Sequence, residues 1–207
     1  MKKIIAFIFC LIPLVCTACL FDEACDVEAK SVLVPSATGD FYIDAYEASR
    51  ANATELTAGT GTSLACNYKN TVPWTNVTYE DARNACLDAG KRLCTRSEWQ
   101  AACGAYFPYG EQYVPGTCHI ATDDLEPDIT GRSAGCKTSS GIYDLSGNVA
   151  EWVEGGYLMG GTYTSNGPDG ACSSVKQVHD YLSFVPDISV GFRCCSDASD
   201  LSPAGSD

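Results

Sequence analysis

Basic residues are scarce in this sequence: 13 Lys and Arg stand against 26 Asp and Glu in 207 residues, a formal charge of −13. Binding to nucleic acid is disfavoured, because neutralising phosphates takes clustered Lys and Arg. Histidine is scarcer still, with only His119 and His179. No Cys-x-x-Cys pair lies in the body of the chain, so a zinc thiolate site is disfavoured as well. The Gly-x-Ser-x-Gly spacing occurs at Gly131-Arg132-Ser133-Ala134-Gly135, but no predicted strand leads into it and no predicted helix follows, the context that a serine-hydrolase nucleophile needs. The apolar run from Ile4 to Val15 falls short of the roughly 20 residues that a spanning helix needs.

That short run has a different reading. Met1-Lys2-Lys3 precedes it and the small residues Thr17-Ala18 follow, the layout of a signal peptide over residues 1–18. Cys19 stands where cleavage would expose it, and the segment resembles the bacterial lipobox, with Cys16 where that motif prefers an aliphatic residue. Cys19 is therefore expected to be lipidated, and several acyl chains anchor stably. Residues 19–30 would be an acidic tether. Removing Lys2 and Lys3 takes the charge from −13 to about −15, and the length suits one domain, set at residues 31–197. The polar tail 198–207 is expected to be disordered.

Ten further cysteines, Cys25, Cys66, Cys86, Cys94, Cys103, Cys118, Cys136, Cys172, Cys194 and Cys195, are scattered through the body. An even set in an exported chain implies five disulfides and an oxidising compartment, although spacing alone does not give their pairing.

Two segments predict helices. Thr78 and Asp81 have capping-box spacing, with Ala82, Ala85 and Cys86 on one face and a stop at Gly90. Thr95 and Glu98 repeat that spacing ahead of Trp99, Ala102 and Cys103, with a stop near Gly104. Strands are predicted at Ser31 to Pro35, Phe41 to Ala45, Gly160 to Thr164 and Val190 to Cys194. Trp99 and Trp152 read as core, while Tyr109 and Tyr113 read equally as core or as a stacking surface. The acids Asp123, Asp124, Glu126 and Asp128 read as a solvated loop.

The second helix lies within a longer pattern. Asn76 to Ala82, Gly90-Lys91-Arg92-Leu93-Cys94-Thr95-Arg96-Ser97-Glu98-Trp99, Phe107-Pro108-Tyr109-Gly110, Gly141 to Trp152, Gly160-Gly161-Thr162 and Val190-Gly191-Phe192-Arg193-Cys194 resemble, in that order, the formylglycine-generating enzyme or sulfatase-modifying factor family. The resemblance implies an α+β, loop-rich fold related to C-type lectins. It also implies calcium held by Asp144 and Glu151 and by the backbone carbonyls of Gly147 and Val149, oxygen donors of the kind calcium takes. A second family calcium site would fall near His119 and Ile120, without recognisable acidic ligands. The family usually has Trp where this chain has Ala150.

Catalysis is where the resemblance breaks. The family's enzyme uses two cysteines, separated by four residues, whose thiolates hold copper(I). Here Ser165 and Gly170 occupy those positions. A nonheme-iron branch of the fold needs three histidines, more than the chain has. The resemblance implies disulfides Cys86 with Cys194 and Cys103 with Cys172; Cys94 with Cys195 follows by adjacency, leaving Cys118 with Cys136 and Cys25 with Cys66. The expectation is an exported, monomeric, lipid-anchored, non-catalytic module of the cell envelope, with structural calcium and no copper or iron, that binds a protein or glycan partner. The alternative is a divergent oxidoreductase or protein-modifying factor of the same family.

Overall fold

A computed structural model describes residues 24–25 and 30–201. The expected signal peptide, the lipidation site Cys19, most of the tether and residues 202–207 of the expected tail lie outside the described residues. The first residues of that tail, Ala198–Leu201, form a 3-10 turn against the preceding strand rather than the start of a disordered segment.

Both predicted helices form where their caps place them. Helix α1 runs Tyr79–Asp88 and α2 runs Arg96–Cys103, and in each the N-cap threonine and the acid three residues on satisfy each other's backbone N–H groups. At α2 the cap is reinforced, because Glu98 also takes two bonds from the Arg92 guanidinium at 2.7 and 2.8 Å. Each helix buries a narrow face of small residues and cysteine, with Tyr79 on α1 and Trp99 on α2.

Among the described residues ten short strands follow one another: β1 (Ser31–Val34), β2 (Phe41–Asp44), β3 (Ser49–Arg50), β4 (Ala65–Cys66), β5 (Arg92–Leu93), β6 (Ala150–Val153), β7 (Tyr157–Met159), β8 (Val175–Gln177), β9 (Val190–Phe192) and β10 (Cys194–Asp197). One sheet has the order β1-β2-β10-β5 and another β8-β7-β6-β9, while β3 and β4 form a separate ribbon. Strand β9 lies parallel to β6, and β10 antiparallel to β2 and β5, so the residue between them, Arg193, is where the chain passes from one sheet to the other.

Two differences from the sequence reading have clear causes. The segment from Gly160 to Thr164 is a turn, because Gly160 and Gly161 both have positive φ, at 84° and 73°, which extended chain does not allow. The strand that precedes it, β7, and its neighbour β6 were not foreseen. All four residues of β6 are buried, which removes the alternation that marks a half-exposed strand.

Five disulfides tie these elements: Cys25–Cys66, Cys86–Cys194, Cys94–Cys195, Cys103–Cys172 and Cys118–Cys136. They mark an extracytoplasmic protein. No helix among the described residues is long and apolar enough to cross a membrane. Replacing the α2 cap, Thr95→Ala, is expected to cost about 1 kcal/mol, read as a lower urea midpoint at unchanged slope.

Candidate functional site

The centre of the molecule is an ion pair. Arg193 and Glu151 are both buried completely. The guanidinium grips the carboxylate with Nε to Oε2 at 2.7 Å and Nη2 to Oε1 at 2.6 Å, and its other donors reach the carbonyls of Asp44 and Tyr143 at 3.0 and 2.8 Å. The Trp99 indole N–H also donates to Glu151 Oε2, at 2.7 Å. Burial opposes the charge on Arg193, yet Glu151, Glu47 and Asp144 outweigh it and raise its pKa.

Glu47, which sequence reasoning missed, organises the next turn. Its carboxylate accepts from the Asn148 side chain at 2.6 Å and from the Val149 N–H at 3.2 Å. It is fully buried; its signal in the sequence is a lone acid in the otherwise apolar stretch from Ala45 to Ala48. The same turn needs Gly147, because φ is 79° and a Cβ there would lie 2.4 Å from the His119 carbonyl oxygen.

The residues implied for calcium already have protein partners in this arrangement. Asp144, Gly147, Val149 and Glu151 do lie on one turn and strand, but both Glu151 oxygens are engaged by Arg193 and Trp99. Asp144 Oδ2 accepts the Gly131 N–H at 2.6 Å. Among the described residues no three His, Cys, Asp or Glu side chains gather where they would hold an ion. Near the second family position, the His119 carbonyl accepts the Asn148 N–H at 2.7 Å. The His119 ring lies 3.8 Å from Asp124, and the loop of acids around it is largely exposed.

The excess acid has a consequence. Burial pushes Asp144 up to about 7; the Gly131 N–H and Arg193 counter this, while Glu151 and Asp128 add to it. Glu47 is raised well above the usual carboxylate range, first by burial and then by Asp144 and Glu151.

A cleft of about 620 Å³ lies on the sheet that carries Glu151. Its floor is one half of a sheet face, with Ala150 on β6, Leu158 on β7 and Val190 on β9, and Phe184 and Val185 form a wall. The other half of that face is covered by Tyr79 and Phe184 against Trp152. Thr162, Ser165, Asp169, Lys176 and Asp187 line the remainder.

Ser165 and Gly170 flank the cleft together: a Cβ built on Gly161 would lie 3.3 Å from the Ser165 hydroxyl and from Gly170 Cα. Neither can act as a thiolate. The Ser165 hydroxyl accepts the Thr162 N–H at 2.9 Å. At Gly170 a Cβ would lie 2.2 Å from Ile120 Cδ1 and 2.9 Å from Ser146 Oγ, so the space a side chain would need is filled. All ten described cysteines are in disulfides. Tyr109 and Tyr113, left open by the sequence, pack on Phe107 at centroid distances of 5.5 and 5.9 Å.

A loop-rich α+β domain with two capped helices, a Gly-Asn turn over a buried Arg–Glu pair and an adjoining cleft defines the sulfatase-modifying factor class of fold. A family model described as "Sulfatase-modifying factor enzyme 1-like domain" matches residues 36–198, and the chain belongs to that family. It is 29% identical over 167 residues to "Inactive C-alpha-formylglycine-generating enzyme 2" of Bos taurus, covering 68% of this chain and 55% of the relative. To "Formylglycine-generating enzyme" of Mus musculus it is 26% identical over 169 residues, covering 63% and 45%. The chain thus spans about half the length of the curated relatives it matches. The solved structure of PvdO from Pseudomonas aeruginosa superposes with a TM-score of 0.55 at 15% identity, over 82% of this chain and 91% of the other, a likeness of fold.

Two tests address the buried charges. Glu151→Ala should cost about 3 to 5 kcal/mol in a denaturant titration, since it strands a buried guanidinium; the double variant Glu151→Met with Arg193→Met should recover much of that loss. For Asp144, a folded pKa above the unfolded value means that the native state holds the extra proton, so its contribution to stability falls as pH rises from about 4 to 7. The melting temperature of Asp144→Asn relative to the parent should therefore rise across that interval. Calcium at this carboxylate would reverse the trend in a calcium-containing buffer.

Proposed function

We propose that this chain is a non-catalytic binding module, exported and held to the cell envelope by lipid at Cys19, that takes a protein or glycan partner in the cleft floored by Ala150, Leu158 and Val190. The observation that carries the reading is Gly170: the second position where the family's chemistry needs a thiolate has no side chain, and Ile120 and Ser146 occupy the space one would need. A hydroxyl at Ser165 is a poor ligand for soft copper(I). The bovine relative, an inactive formylglycine-generating enzyme by name, is in keeping with this. In this reading the Asp144 to Glu151 segment is held by Arg193 and Glu47, and calcium is not needed for it.

The cleft keeps what a binding site requires after the redox pair is gone. It joins an aliphatic floor to a few polar groups at the edge, the usual make-up of a ligand pocket. Val175 and Val185 in its lining are 44% and 80% exposed, apolar surface that a partner would cover.

The protein is expected to leave a cysteine-containing sulfatase peptide unchanged, with or without copper, as read by mass spectrometry; conversion of the thiol to an aldehyde would overturn the reading. Glycan and peptide arrays probed with the parent and with Ala150→Trp should differ in signals that depend on the cleft, because the indole fills its floor. The N-terminal peptide of the membrane-associated protein should carry acyl chains on Cys19.

A further inference from the structure

A second concave surface, lined on β1 by Leu33 and Val34, shares no lining residue with the cleft, and beside it the outer edge of β1 is unpaired among the described residues. The Ala45 N–H donates to the Lys30 carbonyl at 2.9 Å, which fixes the alternation of the β1–β2 ladder. Lys30/Ala45, Val32/Ile43 and Val34/Phe41 are then the hydrogen-bonded pairs, and the N–H and C=O groups of Ser31 and Leu33 point away from β2. Strand β1 ends its sheet. Among the described residues no backbone group pairs with this outer side.

Edge strands are normally blunted by a lysine, a proline, a bulge or a covering segment. Lys30 and Pro35 bound this edge, and between them Ser31–Val34 has no charge and no proline, with Leu33 45% exposed. Beside the edge runs a groove of about 640 Å³, walled by the last turn of α2 and the chain just beyond it, Ala101 to Ala105, and by the loop Lys137 to Ser140. Its walls are mostly small side chains, which let another backbone approach closely. In a chain with 26 acids and 13 bases, the lining contains no acid, and its one charge is Lys137. Among the described residues Lys137 has no ion-pair partner; its ammonium donates to the Tyr143 hydroxyl at 3.4 Å and lies 5.4 Å from the centre of that ring.

We propose that this groove takes an extended segment of a partner protein, which adds to β1 as a further strand through the free groups of Ser31 and Leu33. The segment is aliphatic and carries a carboxylate opposite Lys137. Main-chain bonds to an open edge give affinity, and alternate side chains in the groove give selectivity. A second copy of this chain is the less suitable occupant, since the walls that flank β1 in one copy would meet the same walls in the other. The proposal is independent of the cleft.

The oxidised protein would be used to select binders from a display library of random linear peptides. Selected peptides should be rich in aliphatic and acidic residues. Leu33→Pro removes an outward N–H without touching a bond to β2 and should weaken them about tenfold or more, whereas Leu33→Thr, which keeps that N–H, should not. Lys137→Glu should weaken them too. If Leu33→Pro does not fold, hydrogen exchange of the parent decides: peptide should protect the amides of Ser31 and Leu33 and leave Val32 and Val34 unchanged. Failure to select any peptide, binding indifferent to Leu33→Pro with those amides unprotected, or a dimer in sedimentation that this variant dissolves would each overturn the proposal.

Discussion

The fold depends on one buried ion pair. Arg193 joins β9 of one sheet to β10 of the other, and its guanidinium spends its donors on β6 through Glu151, on the end of β2 through the Asp44 carbonyl, and on Tyr143. Trp99 then brings α2 to the same carboxylate. With both charges desolvated, either partner alone would be a severe liability. Together they fix how the two sheets and a helix meet, which hydrophobic contact alone does not specify.

The disulfides extend this junction outward. Cys194 and Cys195 follow Arg193 directly, and successive side chains of a strand point to opposite faces. Cys194 therefore enters the core around Trp74, Trp152 and Phe192 and pairs with Cys86, while Cys195 enters the core around Phe41, Trp99 and Leu145 and pairs with Cys94. These two bridges close loops of about 100 residues, the range in which chain-entropy arguments assign the largest stabilisation, about 4 to 5 kcal/mol each. So short a set of strands has little ladder of its own to rely on.

A scaffold held this way does not depend on the loop beside the cleft. Ser165 and Gly170, the latter at the end of the 3-10 turn Gly167–Gly170, take no part in the Arg193 junction. A hydroxyl and a bare Cα at these positions are therefore compatible with the same framework, with Ile120 and Ser146 against Gly170.

Much of this was legible in the residues. The capping boxes at Thr78 and Thr95 set both helices because they are local: each cap satisfies N–H groups within its own first turn. The even cysteine count implied five bridges for the same kind of reason, being a property of composition, while their pairing came from likeness to a family and not from spacing. The order of motifs named the family, and Ser165 and Gly170 were visible as departures. Tertiary structure alone decided the rest. β6 was hidden because it is buried on both faces and has no alternation to read. The counter-charge of Glu151, Arg193, lies 42 residues later, and Glu47 acquired its partners from a turn about 100 residues away. A sequence states which side chains carry charge, but which charges meet in a core depends on how distant strands cross.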